Sequence, residues 1–382
     1  MEVRSGLAER IHRVGPVPFS VFVDAALYDP VNGFFARGKG AGRGGADFLT
    51  SPEVGPLFGA CVARVLDGWW RRLGEPDPFV VVEAGAGAGR LCREILRPDP
   101  VCAPALRYVM VERSEELRER QRDHLVVEPF EFALGPSAPG GEGEPVELVA
   151  RVGPIVSALD KLPAVPFEGV VFANELLDNL PFDLVERTDE GWAEVRVGVD
   201  TAGRFHEVVL PASEELVAWM AGIEVPVGAR LPAQREIETW IDAVAGVVRR
   251  GVLVCVDYAA DAQKMATRGR GWLRTYREHG RGVDPLDAPG SQDVTADVLL
   301  EPMRRAARQA GLTLVAETTQ SEWLAGLGID ALVEKGAAIW RAGAARGDVD
   351  AIAGRSRASE AAALTDPVGL GAHTVLVWTK AL

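Results

Sequence analysis

The sequence predicts an α/β protein built on an open, mixed sheet, and three observations carry that prediction. Short apolar runs of buried-strand type, Phe79 to Glu83, Arg107 to Glu112, Gly169 to Ala173 and Val252 to Asp257, alternate with helical patterns at Arg90 to Leu96, Ser114 to His124 and Gln234 to Arg249. The first run ends in glycines at Gly85, Gly87 and Gly89 and passes at once into a helical pattern. The second run ends in an acid, Glu112, 23 positions after Gly89.

From the N-terminus, "FSVFVDAALYDP" and "VGPLFGACVARVLDGWWRRL" are helical in spacing and flank a glycine-rich segment, "RGKGAGRGGADF". Residues 1–73 are expected to form a helical cap with a lid loop, and 74–181 the first part of the α/β core. Within that part, "GPSAPGGEGEP" (135–145) reads as a flexible surface loop. "FDLVERTDEGWAEVRVGV" alternates like a hairpin about Asp189-Glu190-Gly191, so 182–235 is expected to be an inserted substrate region of hairpin and helix. Residues 236–382 complete the core, with Thr313 to Thr318 and His373 to Lys380 as a closing strand pair. The stretch 259–293 is rich in Gly, Arg and Pro and too long for an ordinary connection, so it is expected to be a functional or poorly ordered loop.

Composition narrows the function. With 382 residues, 47% of them hydrophobic, the chain can bury a large core, and a formal charge of −14 argues against non-specific nucleic-acid binding. Cys61, Cys92, Cys102 and Cys255 form no CxxC pair and the five histidines are scattered, so no metal spacing is present. Reduced thiols, a charged N-terminus and the lack of an apolar run long enough to span a bilayer predict a soluble cytoplasmic protein with no membrane span.

A strand that ends in glycines before a helix suits a nucleotide-like ligand, because absent side chains admit close approach to the backbone. A dinucleotide loop is GxGxxG, but Arg90 stands where its third small residue belongs. Gly85, Gly87 and Gly89, with Glu83 two residues before them, instead form the GxGxG arrangement of S-adenosylmethionine-dependent methyltransferases. No Walker lysine follows. Glu112 is placed to accept hydrogen bonds from a ribose diol. "ANELLDNLP" puts Asn174, Glu175 and Asp178 at the C-terminal end of a strand, and a helical turn would bring the two acids onto one face. The alternative is a helix cap, with Asn174 capping and Glu175 in the first turn.

Six segments, "DFLTSPEVGPLFG", "VERSEELRERQ", "FANELLDNLPFD", "GVLVCVDY", "PGSQDVTADV" and "TTQSEWLAGLGI", resemble in this order the MidA family of class I methyltransferases, whose mitochondrial members include a complex I assembly arginine methyltransferase. The likeness runs from about Pro16 to the C-terminus. It implies a Rossmann-like class I sheet, S-adenosyl-L-methionine as cofactor, and methylation of an arginine in a protein partner such as a respiratory-complex subunit. The other readings are a small-molecule methyltransferase and a non-catalytic assembly factor. A guanidinium needs carboxylates to hold it and direct density to one nitrogen, so Glu175 and Asp178, with Asn174, are the catalytic candidates. Asp160 is expected near the adenine, and Thr50 and Ser51 beside the cofactor in a lid that also carries Asp47 and Glu53. Asp47, Glu53 and His279 complete the substrate candidates, His279 as a base. The sequence departs from the family at Ala86, Leu176, Leu177, Asn179 and Ala259.

Overall fold

The computed structural model describes residues 3–37, 50–135, 152–277, 280–346 and 348–382. The segments expected to be a glycine-rich lid loop (38–48) and most of the flexible 135–145 loop lie outside the described residues. The chain divides into two compact units, one of Met1–Phe48, Glu175–Ala243 and Asp257–Leu312, the other of Leu49–Asn174, Val244–Val256 and Thr313–Leu382.

The second unit carries a seven-stranded sheet. Its strands are β1 (Phe79–Ala84), β2 (Leu106–Val111), β3 (Ile155–Leu159), β4 (Phe167–Asn174), β5 (Val248–Asp257), β6 (Thr313–Thr319) and β7 (Thr374–Lys380), in the order 3-2-1-4-5-7-6. Strands 3, 2, 1, 4 and 5 run parallel, and β6 pairs antiparallel with β7 as the C-terminal pattern predicts. Every residue of β1 and β2 is buried, as strands covered on both faces must be, which is why they read as continuous apolar runs. Gly169 of β4 is required by its neighbour: a Cβ there would stand 1.8 Å from the Val80 carbonyl oxygen. The strand order reverses between β1 and β4, the switch point at which open α/β sheets bind ligands. Helices α1 (Pro56–Arg72), α2 (Arg90–Leu96) and α3 (Glu115–Gln121) belong to this unit, and Leu57, Phe58, Val62 and Leu66 of α1 join Val81, Val170 and Val254 in one hydrophobic core.

The first unit is built on a five-stranded antiparallel sheet. The predicted hairpin is present: Asp183–Thr188 pairs with Gly191–Val199, with Thr188 opposite Gly191. The first two helices, Val3–Val14 and Phe19–Tyr28, belong to this unit, where Val17 and Pro18 add a short strand opposite Val197 and Arg196. Phe19, Phe22 and Leu27 then pack with Phe182, Leu184 and Trp272. The stretch 259–293 is not a structureless loop. It holds a helix, Ala262–Thr267, capped by the Asp261 carboxylate on the Lys264 amide at 2.8 Å. It also holds a strand, Leu273–Arg277, that pairs antiparallel with Asp293–Ala296. Trp272 anchors it, fully buried with its indole N–H donating to the Arg230 carbonyl at 3.0 Å, so large apolar burial orders a segment whose composition reads as loop.

Candidate active site

Beyond Ala84 the chain turns through Gly85, Gly87 and Gly89, all at positive φ (74°, 52° and 77°), a conformation side chains resist. The Gly85 and Ala86 amides both donate to the Val111 carbonyl at 2.9 and 3.0 Å, which ties the loop to the end of β2. A proline in place of Ala86 could not make the second bond. The Gly87 amide donates to Glu112 Oε2 at 2.9 Å, the Ser114 amide to Glu112 Oε1 at 2.8 Å, and Gln121 Nε2 donates to the Gly87 carbonyl at 2.8 Å.

This cradle fits a nucleoside cofactor. A Cβ on Gly87 would meet nothing within 4 Å, so the loop opens outward there, whereas one on Gly89 would stand 3.0 Å from Leu125 Cδ1 and Met110 Sδ, so Gly89 serves packing. Both Glu112 oxygens accept backbone N–H groups, and a carboxylate's roughly four lone-pair sites leave acceptor capacity for a ribose hydroxyl. Burial raises the Glu112 carboxyl above the ordinary range, against the lowering pull of the Ser114 and Gly87 amides and of Arg118.

The remaining sequence candidates of this unit are less open to a ligand. Glu83 is 4% exposed, accepts the Tyr108 hydroxyl at 2.8 Å and is pushed up to about 8, mainly by burial. Thr50 is buried before the short helix Ser51–Val54 and makes no capping bond, and the buried Ser51 hydroxyl donates to Gln320 Oε1 at 2.9 Å. Glu53 pairs with Arg90 at 3.4 Å while Arg90 Nε donates to the Pro52 carbonyl at 3.1 Å, so this helix is tied to the first residue of α2. Asp160 is exposed just past the end of β3. Asp47 and His279 lie outside the described residues.

A second constellation stands in the first unit. Asn174 ends β4 and Glu175 follows at φ +50°, so the helical face expected to join Glu175 and Asp178, and the helix that Asn174 would cap, do not form. A single 3-10 turn, Leu177–Asn179, replaces them because Asp257 captures it: Asp257 Oδ2 accepts the Leu177 amide at 2.8 Å while Oδ1 accepts the Tyr258 amide at 2.8 Å. Asp178 is 4% exposed, and its Oδ1 has no hydrogen-bond partner. Burial lifts its carboxyl well above the usual range, Asp257 and Asp293 lift it further, and Arg274 opposes them. Asp257 is pushed up to about 8 by burial, with the Leu177 amide opposing and the charge of Glu175 adding. Two cations already reach Asp297: Arg274 Nη1 lies 2.6 Å and Arg268 Nη1 3.0 Å from its carboxylate, and the Arg274 guanidinium sits over the Tyr258 ring at 4.4 Å. Asn179, a family departure, donates to Asp293 Oδ1 at 2.9 Å and the Val294 carbonyl at 3.2 Å.

Sequence reasoning missed Gln121, Asp257, Arg274, Asp293 and Asp297. Asp257 carried the signal that exposed Glu112, an acid ending an apolar strand; the other four have no periodic signature. Among the described residues no group of three or more His, Cys, Asp or Glu is placed to hold a metal ion.

Residues 61–318 match a family described as "S-adenosyl-L-methionine-dependent methyltransferase". The chain is 30% identical over 349 residues to the mouse protein named "Protein arginine methyltransferase NDUFAF7, mitochondrial", covering 85% of this chain and 73% of that protein. The human protein of that name is 29% identical over 337 residues, with the same coverage of both chains. A crystal structure from Burkholderia thailandensis bound to S-adenosyl-homocysteine is similar with a TM-score of 0.79 and 28% identity, covering 99% of this chain and 92% of that one. The mitochondrial relatives overturn the cytoplasmic placement. Free, buried cysteines argue only against an oxidising compartment, so they could not carry it. Among the described residues no helix is long and apolar enough to cross a membrane.

Proposed function

The chain belongs to the S-adenosyl-L-methionine-dependent methyltransferase family matched over residues 61–318, and from that premise we propose that it methylates the guanidinium of an arginine in a protein. When bound, S-adenosylmethionine supplies a methyl group already activated by its sulfonium. Gly85, Gly87 and Glu112 hold that cofactor while Gly89 packs the loop against Met110 and Leu125, and Glu175 and Asp178 receive the substrate cation.

The observation that carries the reading is Asp178, a carboxyl buried among Asp257, Asp293 and Asp297 with one oxygen that no donor reaches. A buried acid in that state favours a ligand that brings positive charge and N–H donors together, as a guanidinium does. Meeting the cation ionises Asp178. Once ionised, Asp178 would take the proton that the guanidinium nitrogen gives up on methylation. A carboxylate of raised proton affinity is the better base for this step. The names of the curated relatives support an arginine acceptor, and the family resemblance suggests a respiratory-complex subunit as the partner.

The test is transfer of labelled methyl from S-adenosylmethionine to lysate protein, followed by hydrolysis and separation of the methylated amino acids. Label in methylarginine is expected, and Asp178→Asn should lower single-turnover transfer on the order of 100-fold while affinity for S-adenosyl-homocysteine stays. Label confined to small molecules, or full turnover in Asp178→Asn, removes the proposal.

A further inference from the structure

We propose that Gln121 is a positioning residue for the cofactor: its side-chain amide holds the Gly87 peptide in the form that S-adenosylmethionine binds. Gln121 is the last residue of α3 and is fully buried. Its Nε2 donates to the Gly87 carbonyl at 2.8 Å, while Glu112 takes the Gly87 amide on the other side at 2.9 Å. Both polar groups of Gly87 outside its own neighbours' peptides are therefore gripped by one segment, 112–121, which leads from β2 through α3. That segment is itself fixed. The Glu112 amide donates to the Leu159 carbonyl at 3.0 Å, and Ser114 caps α3 by accepting the Leu117 amide at 3.3 Å.

The loop needs such a grip. Gly85, Gly87 and Gly89 have more freedom to lose on ordering than any other residue type, and a loop that is ordered before the ligand arrives binds it more tightly. A carboxamide suits the place. It donates one N–H to a carbonyl without adding charge beside Glu112, whereas a lysine would pair with Glu112 and draw it from a ribose, and a glutamate would repel both Glu112 and the carbonyl.

The other half of the Gln121 amide argues that the residue is there for function. Its Oε1 is buried with no hydrogen-bond partner, a destabilising arrangement that an apolar side chain of the same shape would remove. Gly87 is only half-buried, so its carbonyl can turn to water if Gln121 no longer donates. Gln121 Cγ also lies 3.2 Å from where a Gly89 Cβ would stand, so the test must keep that carbon in place.

Gln121→Leu and Gln121→Met keep the volume and delete the donor. In each, affinity for S-adenosyl-homocysteine measured by calorimetry should fall about five-fold, the factor for one neutral hydrogen bond. The melting temperature without ligand should stay level or rise. Hydrogen exchange at the Gly87 and Gly89 amides should quicken, and KM for S-adenosylmethionine should rise with kcat nearly unchanged. A merely structural glutamine predicts the opposite pair: lower melting temperature, with unchanged affinity per folded molecule. That result in both variants, or wild-type affinity with wild-type amide exchange, overturns the proposal.

Discussion

Gly87 and Gly89 stand two residues apart in one loop, both at positive φ, yet their replacement should fail in different ways. At Gly87, with φ +52°, any L side chain incurs left-handed strain of about 1–2 kcal/mol, more if β-branched, but its Cβ meets no protein atom within 4 Å. Gly87→Ala should therefore cost only that strain, a few degrees of melting temperature, and Gly87→Val somewhat more. The space the new side chain enters is that left for the cofactor, so Gly87→Val should reduce affinity for S-adenosyl-homocysteine by ~100-fold or more, as overpacking of a close contact costs about 1–3 kcal/mol on top of lost approach. Gly89→Ala meets Leu125 Cδ1 and Met110 Sδ at 3.0 Å and Gln121 Cγ at 3.2 Å in addition to its own strain at φ +77°. It should destabilise by about 2–5 kcal/mol, the sum of strain and overpacking. Calorimetric titration and thermal melting on the same preparations compare the two. A folded Gly87→Val that binds with wild-type affinity, or equal melting losses for Gly87→Ala and Gly89→Ala, would refute the reasoning.

Glu112→Gln cannot accept both backbone amides, since its NH2 would face either Gly87 or Ser114; affinity should weaken by about 1–3 kcal/mol and the melting temperature drop, and a calorimetric result equal to wild type counts against the ribose role. Glu83 has a folded-state pKa raised to about 8, so the native state holds a proton that the unfolded chain loses near pH 4: its contribution to stability is full below about pH 4 and is lost as pH rises towards 8, by up to ~1.4 kcal/mol per pH unit. Glu83→Gln should flatten that part of the stability curve in denaturant titrations from pH 5 to 8, and an unaltered slope assigns it to other groups. NAD should not bind at micromolar concentration, because Arg90, held by Glu53 and the Pro52 carbonyl, stands where a dinucleotide loop needs a small residue; a saturable titration would contradict this.

What the sequence determined by itself was whatever rests on neighbours along the chain. Three valines ending in Glu83, alternate glycines and an immediate helical pattern specify strand, turn and helix within 17 residues, and Glu112 shows itself by ending the next apolar run. The six family segments add the cofactor for the same reason, since each is local. The catalytic reading of Glu175 and Asp178 depended instead on a helical turn, and the turn was decided by Asp257, 80 positions from Leu177. Ser51 is claimed by Gln320, 269 positions on, and Asn179 by Asp293, 114 on. The stretch 259–293 looks like a loop because glycine and proline mark turns locally, but burial of Trp272 and pairing with Asp293–Ala296 outweigh that tendency. Periodicity records which face of an element is apolar, whereas the partner of a polar side chain is selected only when distant segments are brought together and every buried donor and acceptor must find one. That choice has no signature along the chain, so the cradle was visible in the sequence and the acid cluster waited for the tertiary structure.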